Sequence, residues 1–249
     1  EDGRSILHVT TTTEDAASKF RLSQDEMSRM LNDSRQLLLD ARLKRKRPAV
    51  DDKILTSWNG LAISAFARAY QVLREERYLA AAERSASFIL SNLYKQGILL
   101  RRYRDGETAI QGTLEDYSFL LQGLLDLYEA SFDPSLLPRA VQLARQMVEL
   151  FWDKQEGGFF LNSSSQELIV RVKEAYDGPT PSGNSVATLD LLRLWEMTGD
   201  EGLRGMAEAT IKLFGERLEN EPTAHTFMLM VVDFLLGPRK EVVVVDSRI

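Results

Sequence analysis

Apolar residues recur at helical spacing in paired segments, and the two members of each pair differ in kind. Segments starting near Ser57, Thr113 and Ser185 are apolar nearly all round and rich in Ala and Leu. Their partners, starting near Glu76, Pro134 and Glu201, carry far more charge. A helix apolar on every side has to be buried, whereas one with a charged face has not. The chain is therefore expected to be an all-α array with an inner and an outer layer of helices. Each pair runs into a short β-prone stretch before the next begins. Gly97-Ile98-Leu99 and Gly158-Phe159-Phe160 hold equivalent places in this order. Such units bury their apolar faces only by stacking on neighbours.

Local signals place the boundaries. Ile6, Leu7 and Val9 suit one short strand, and Thr10 to Thr13 a polar linker. Ser23 with Glu26 forms a capping-box pattern, and apolar spacing from Met27 to Ala41 continues as a helix that Pro48 closes. Asp105-Gly106 predicts a hairpin between Leu99–Tyr103 and Thr108–Ile110. Thr113 with Asp116 opens the next helix, and Asp133-Pro134 the one after. A second hairpin is expected from Phe159–Leu161 with Leu168–Val172, followed by a polar loop from Lys173 to Asn184. Gly199 and Asp200 separate two further helices, the last helix lies between Pro222 and Leu236, and Glu241 to Val245 reads as a final strand. Helices near Ser57, Thr113, Ser185 and Thr223 are assigned to the inner layer. The remainder, including Ser23 to Lys44, go to the outer layer.

Composition narrows the function classes. The chain of 249 residues has no cysteine, which excludes disulfides and thiolate metal sites. No His-x-x-x-His and no dense carboxylate loop suggests another kind of metal site, and no cofactor is expected. A net charge of -6 gives no electrostatic reason for nucleic acid. The basic run Arg42, Lys44, Arg45, Lys46, Arg47 reads as a solvated helix end. No apolar run approaches the ~20 residues of a membrane span, and a cytoplasmic location is expected. The start, Glu1-Asp2-Gly3-Arg4, has neither an initiator Met nor a signal core and reads as a boundary inside a longer chain.

Several segments carry a family resemblance. They are Asp51-Asp52-Lys53-Ile54-Leu55-Thr56-Ser57-Trp58-Asn59-Gly60, Leu114-Glu115-Asp116-Tyr117, Phe151-Trp152-Asp153 with Gly157-Gly158-Phe159-Phe160, and Lys173 to Gly178 leading into Pro181-Ser182-Gly183-Asn184-Ser185. In this order, over nearly the whole chain, they resemble the spermatogenesis-associated, thioredoxin-like proteins. The resemblance implies an α/α toroid of the six-hairpin glycosidase type, similar in fold to N-acylglucosamine 2-epimerases, behind an N-terminal thioredoxin-like domain. On that reading residues 1–249 are the C-terminal part of one toroid domain. The thioredoxin-like domain and the first toroid helices lie outside the chain, and the cut edge is expected to favour self-association. The resemblance would also place a histidine before Asp51, where this chain has Arg47-Pro48-Ala49-Val50.

In such toroids the N-termini of inner helices gather at one end. Trp58, Asn59, Glu115, Asp116, Tyr117, Ser182 and Asn184 fall at those positions, with Tyr103, Tyr176 and Asp177 on connecting segments and His225 early in the last inner helix. Carboxylates, amides and aromatics together are the inventory of a carbohydrate site. Asp116, Glu115 and Asp177 are the candidate catalytic carboxyls; Trp58, Asn59, Tyr103, Tyr117, Tyr176, Ser182, Asn184 and His225 are candidate ligand contacts. Adjacent helical residues do not share a face, so at most one of Glu115 and Asp116 should meet a ligand. Its partner would come from Asp177 or Glu174. Each also has a plain structural reading: capping for Glu115 and Asp116, core packing for Trp58, a structured connection for Tyr176 and Asp177, and a satisfied buried ring for His225. The function expected is carbohydrate binding or processing, glycoside hydrolase-like or sugar epimerase-like, with a small molecule, a sugar among the candidates, as ligand. The alternative is a non-catalytic scaffold for the thioredoxin-like domain. A single inner histidine is poorly suited to two-base epimerisation.

Overall fold

The computed structural model describes residues 8–163 and 169–238. The chain divides into two compact units, Glu1–Asp51 and Asp52–Ile249. The first unit holds α1 (Thr13–Phe20) and α2 (Gln24–Leu43). Thr12 accepts from the Asp15 N–H to start α1, and left-handed Arg21 ends it. Helix α1 replaces part of the expected linker, because a helix of 8 residues shows too little apolar periodicity to read. The Ser23–Glu26 capping box opens α2 as expected. Ile6 and Leu7 of the expected first strand lie outside the described residues, and Val9 belongs to no strand.

The second unit begins with β1 (Ile54–Leu55) and continues as the hairpin α3 (Thr56–Leu73) and α4 (Glu76–Asn92). β2 (Tyr94–Lys95), β3 (Ile98–Arg104) and β4 (Glu107–Gln111) follow, then α5 (Leu114–Ser131), α6 (Leu136–Phe151), α7 (Gly183–Thr198), α8 (Glu201–Asn220), a 3-10 turn at Pro222–Ala224, and α9 (Thr226–Leu236). β3 pairs antiparallel with β1, β2 and β4. Asp105 and Gly106 take φ of 50° and 81°, the two positive values that a tight hairpin turn needs. The second expected hairpin does not form strands among the described residues. A single bridge joins Trp152 to Phe159, and the Leu161 N–H donates to Val172 O at 2.8 Å. Its expected tip, and the expected strand from Glu241 to Val245, lie outside the described residues.

The layering matches the charge pattern. α3, α5, α7 and α9 pack side by side in sequence, while α4, α6 and α8 each pack behind their hairpin partners. Helices α5 and α7 are buried nearly throughout. This is the arrangement of an α/α toroid. Helices α3 and α5 meet backbone to backbone. A Cβ on Gly60 would stand 2.4 Å from the Phe119 carbonyl carbon, and one on Gly123 would stand 2.7 Å from Gly60 O. Only glycine permits that approach. Among the described residues, helices α3 and α9 each pack on one inner helix rather than two. Both helices expose apolar residues: Trp58 and Val72 on α3, and Met230, Phe234 and Leu236 on α9.

A polar network joins three inner helices away from the N-terminal rim. Buried Asp126 of α5 accepts from Ser64 and Arg68 of α3 and from Arg193 of α7, and Arg193 also reaches Glu129. Asp190, fully buried on α7, lies 3.9 Å from Arg193, and neither of its carboxyl oxygens has a hydrogen-bond partner among the described residues. Burial pushes its pKa well above the ordinary carboxylate value, against the pull of Arg193. A carboxyl whose pKa is raised by folding stabilises fully below its unfolded pKa. That contribution is lost as pH rises through the folded value. Asp190→Asn is therefore expected to be more stable than wild type by about 1–3 kcal/mol near pH 8, with the gap closing toward about pH 4. Urea unfolding at the two pH values checks both the sign and the trend.

Candidate functional site

Two inner helices start without a side-chain cap of their own, and both are capped from elsewhere. At α3 the Ser57 N–H donates to Asp116 Oδ1 of α5 at 3.0 Å. The other oxygen of Asp116 accepts from the Thr113 N–H at 2.9 Å, from Thr113 Oγ1 at 3.1 Å and from Arg101 at 3.3 Å. At α9 the Phe227 and Met228 N–H groups donate to Asp177 Oδ2 at 2.9 and 3.0 Å, while Asp177 Oδ1 accepts from the Ser182 N–H, the cap of α7, at 2.8 Å. Between α5 and α7 the link is steric: a Cβ on Gly183 would stand 2.9 Å from Leu114 Cγ. These contacts bring the N-termini of α3, α5, α7 and α9 to one rim.

Most of the expected site residues are consumed in building that rim. Asp116 is completely buried with both oxygens engaged. Asp177 is buried with three N–H donors on its carboxylate, so it acts as a cap. Asn59 turns to α4: its Nδ2 donates to Leu55 O and its Oδ1 accepts from Ser85. Tyr103 packs edge-on against Phe88 of α4, with ring centroids 5.2 Å apart. Tyr117 is in the core against Phe151, its hydroxyl accepting from the Leu99 N–H. Ser182 caps α7 through the Ser185 N–H. Asn184 donates to Phe159 O and Glu174 O and accepts from the Phe159 N–H. Buried His225 donates from Nδ1 to Ala175 O at 2.7 Å, since a carbonyl can only accept. Trp58 is 66% exposed on the first turn of α3.

What remains is a cleft of about 240 Å³ between the starts of α5 and α7. Of the candidates, Glu115, Tyr176, Ser182 and Asn184 line it, joined by Glu174, Gly178 and Thr180. Trp58, Asn59, Tyr103, Tyr117, Asp116, Asp177 and His225 do not. The Glu115 carboxyl has no hydrogen-bond partner among the described residues. Desolvation raises its pKa, Arg101 opposes that, and Asp116 adds to it. Its neighbour on the helix points into the protein and Glu115 into the cleft, as the helical geometry requires. Along the loop, burial alternates. Ala175 and Asp177 are buried, whereas Glu174 and Tyr176 are exposed on the cleft side. Glu174 Oε1 accepts from the N–H groups of Ala175 and Tyr176. Arg101, which braces Asp116, carried no local sequence signal, because its partner lies across β3 and α5.

No protein-family model matches the sequence. The chain is 33% identical over 258 residues to human spermatogenesis-associated protein 20, covering 99% of this chain and 33% of that protein. The rat protein of the same name is 33% identical over 254 residues, covering 97% of this chain and 32% of that protein. The similarity to spermatogenesis-associated protein 20 runs along nearly the whole of this chain. It spans about one third of the length of these relatives. Among solved structures, cellobiose 2-epimerase from Spirochaeta thermophila superposes with a TM-score of 0.55 at 19% identity, covering 65% of this chain and 43% of that one. A family 76 α-mannanase from Bacteroides thetaiotaomicron gives 0.55 at 19% identity over 70% of this chain and 46% of the other. A family 105 glycoside hydrolase from C. acetobutylicum gives 0.53 at 16% identity over 84% and 62%. These likenesses show the fold, an α/α toroid. Among the described residues no helix is long and apolar enough to cross a membrane.

The role of Asp177 generates a direct expectation. Asp177→Asn exchanges one acceptor oxygen for an amide and removes the charge from three hydrogen bonds. It should cost about 1.5–3 kcal/mol of stability, read as a lower midpoint in chemical denaturation of the full-length protein.

Proposed function

We propose that the rim cleft binds and processes a carbohydrate, with Glu115 as the general acid. The observation that carries this is a half-buried carboxyl with a raised pKa, in a concave site beside an exposed tyrosine. A carboxyl whose pKa is raised by desolvation holds its proton more readily and can deliver it to a leaving sugar oxygen. The starts of α5 and α7 add partial positive charge that favours polar edges of a ligand. The structural neighbours lend support, being named for action on cellobiose, mannan and other glycosides. In the full-length protein, isothermal titration with cellobiose and mannobiose should show binding. Glu115→Gln should retain that binding within about threefold, while any hydrolysis or epimerisation of the bound sugar falls by a factor of about 100 or more. Equal turnover in the variant would remove Glu115 from the chemistry.

A second reading has its own support. Asp116, Asp177, Asn59, Tyr117 and His225 are all spent on structure. In this reading the unit is a non-catalytic scaffold for a thioredoxin-like domain in the rest of the protein. Both readings share one proposal about the domain: further toroid helices in the remaining length cover the exposed faces of α3 and α9. Chain 1–249 on its own is then expected to self-associate through those faces. Light scattering behind size exclusion should give a mass above 28.2 kDa that falls toward the monomer on dilution.

A further inference from the structure

We infer that Tyr176, seated on Gly178, is a stacking platform for an uncharged pyranose, and that Gly178 is a positioning residue. The inference rests on the cleft being a sugar site, as proposed above. Gly178 does not take a positive φ, so its backbone conformation does not call for glycine. What excludes a side chain there is the Tyr176 ring alone. A Cβ on Gly178 would stand 2.7 Å from Cε1, 3.4 Å from Cδ1 and 3.6 Å from Cζ of Tyr176, and these are its three nearest heavy atoms. The seat itself is held firmly. The Asp177 N–H donates to Ala224 O at 2.8 Å, the Gly178 N–H to Thr180 O at 3.1 Å, and the Tyr176 N–H to Glu174 Oε1 at 2.8 Å. The result is an aromatic ring that is 57% exposed yet braced on one side by backbone. A ring held in place before a ligand arrives loses little entropy on binding. Its open side offers the apolar surface that packs against sugar C–H groups.

Charge selects among sugars. The charged side chains lining the cleft among the described residues are Glu115 and Glu174. The helix starts of α5 and α7 contribute partial positive charge of about half a unit each. Neither acid offers a uronate carboxylate a cationic partner, and Glu174, which accepts from two backbone N–H groups, opposes a second anion, so a uronate is disfavoured and a neutral pyranose accepted.

Binding of methyl β-glucoside, methyl α-mannoside and sodium glucuronate to the full-length protein, followed by titration and saturation-transfer NMR, tests this. Gly178→Ala is expected to weaken binding of the neutral glycosides about tenfold with an unchanged melting temperature, because an exposed ring can swing away rather than strain the core. Tyr176→Ala should weaken it equally, Tyr176→Phe should restore it, and Gly178→Ala should add nothing in the Tyr176→Ala background. Saturation transfer should be strongest at the ring C–H protons facing Tyr176. Wild-type binding that survives Gly178→Ala or Tyr176→Ala overturns the platform and leaves the sugar site standing. Glucuronate binding as tight as the neutral glycosides overturns the charge argument. If none of the three sugars binds wild type, the carbohydrate reading of the cleft fails together with this inference.

Discussion

Asp116 and Asp177 each supply a helix cap that the capped helix lacks, and the rest of the rim depends on those two carboxylates. A helix start leaves backbone N–H groups unpaired, which cannot be tolerated in a buried position. α3 and α9 begin with Leu55 and His225, neither of which offers a side-chain cap. Asp116 and Asp177 satisfy them, and in doing so fix α3 to α5 and α7 to α9. The adjacent helices gain register as well as stability. The Gly60–Gly123 crossing then sets how closely α3 and α5 lie along their length.

This use of carboxylates separates support from function. Two of the three acids that looked suited to catalysis hold the rim together, and their oxygens are fully occupied. Glu115 is the one left facing a cavity, desolvated by the same close packing that buries its neighbour. The loop from Glu174 to Ser182 closes the other side, anchored from behind by Asn184 and His225. Rigid support behind and open polar and aromatic groups in front is the division of labour expected of a preorganised site. The buried Asp190 is different in kind: its oxygens have no hydrogen-bond partner among the described residues, and Arg193 is its ion-pair neighbour at 3.9 Å.

Much of the architecture was legible because it is encoded locally. Asp105-Gly106, the Ser23–Glu26 box and the Thr113–Asp116 box are spacings of a few residues, and each appears as read. The contrast between the apolar α5 and α7 and their charged partners gave the two layers, because burial on all sides tolerates no charged face. Helix α1 escaped notice for want of length, and the described residues after Phe159 form no strands because only isolated pairings occur there. The start of α6 also shifted: left-handed Phe132 and the turn at Asp133 delay the helix to Leu136.

The sequence by itself determined the helix pairs, their inner and outer roles, and which stretches meet at the rim. Periodicity and capping are short-range, and a residue's neighbours in the chain are enough to state them. Only the tertiary structure decided what each polar side chain does there. Asp116 reaches a backbone N–H 59 residues away and Asp177 reaches ones 50 and 51 away. Whether a carboxylate is a cap or an acid depends on which groups fold against it, and nothing in its immediate sequence records that.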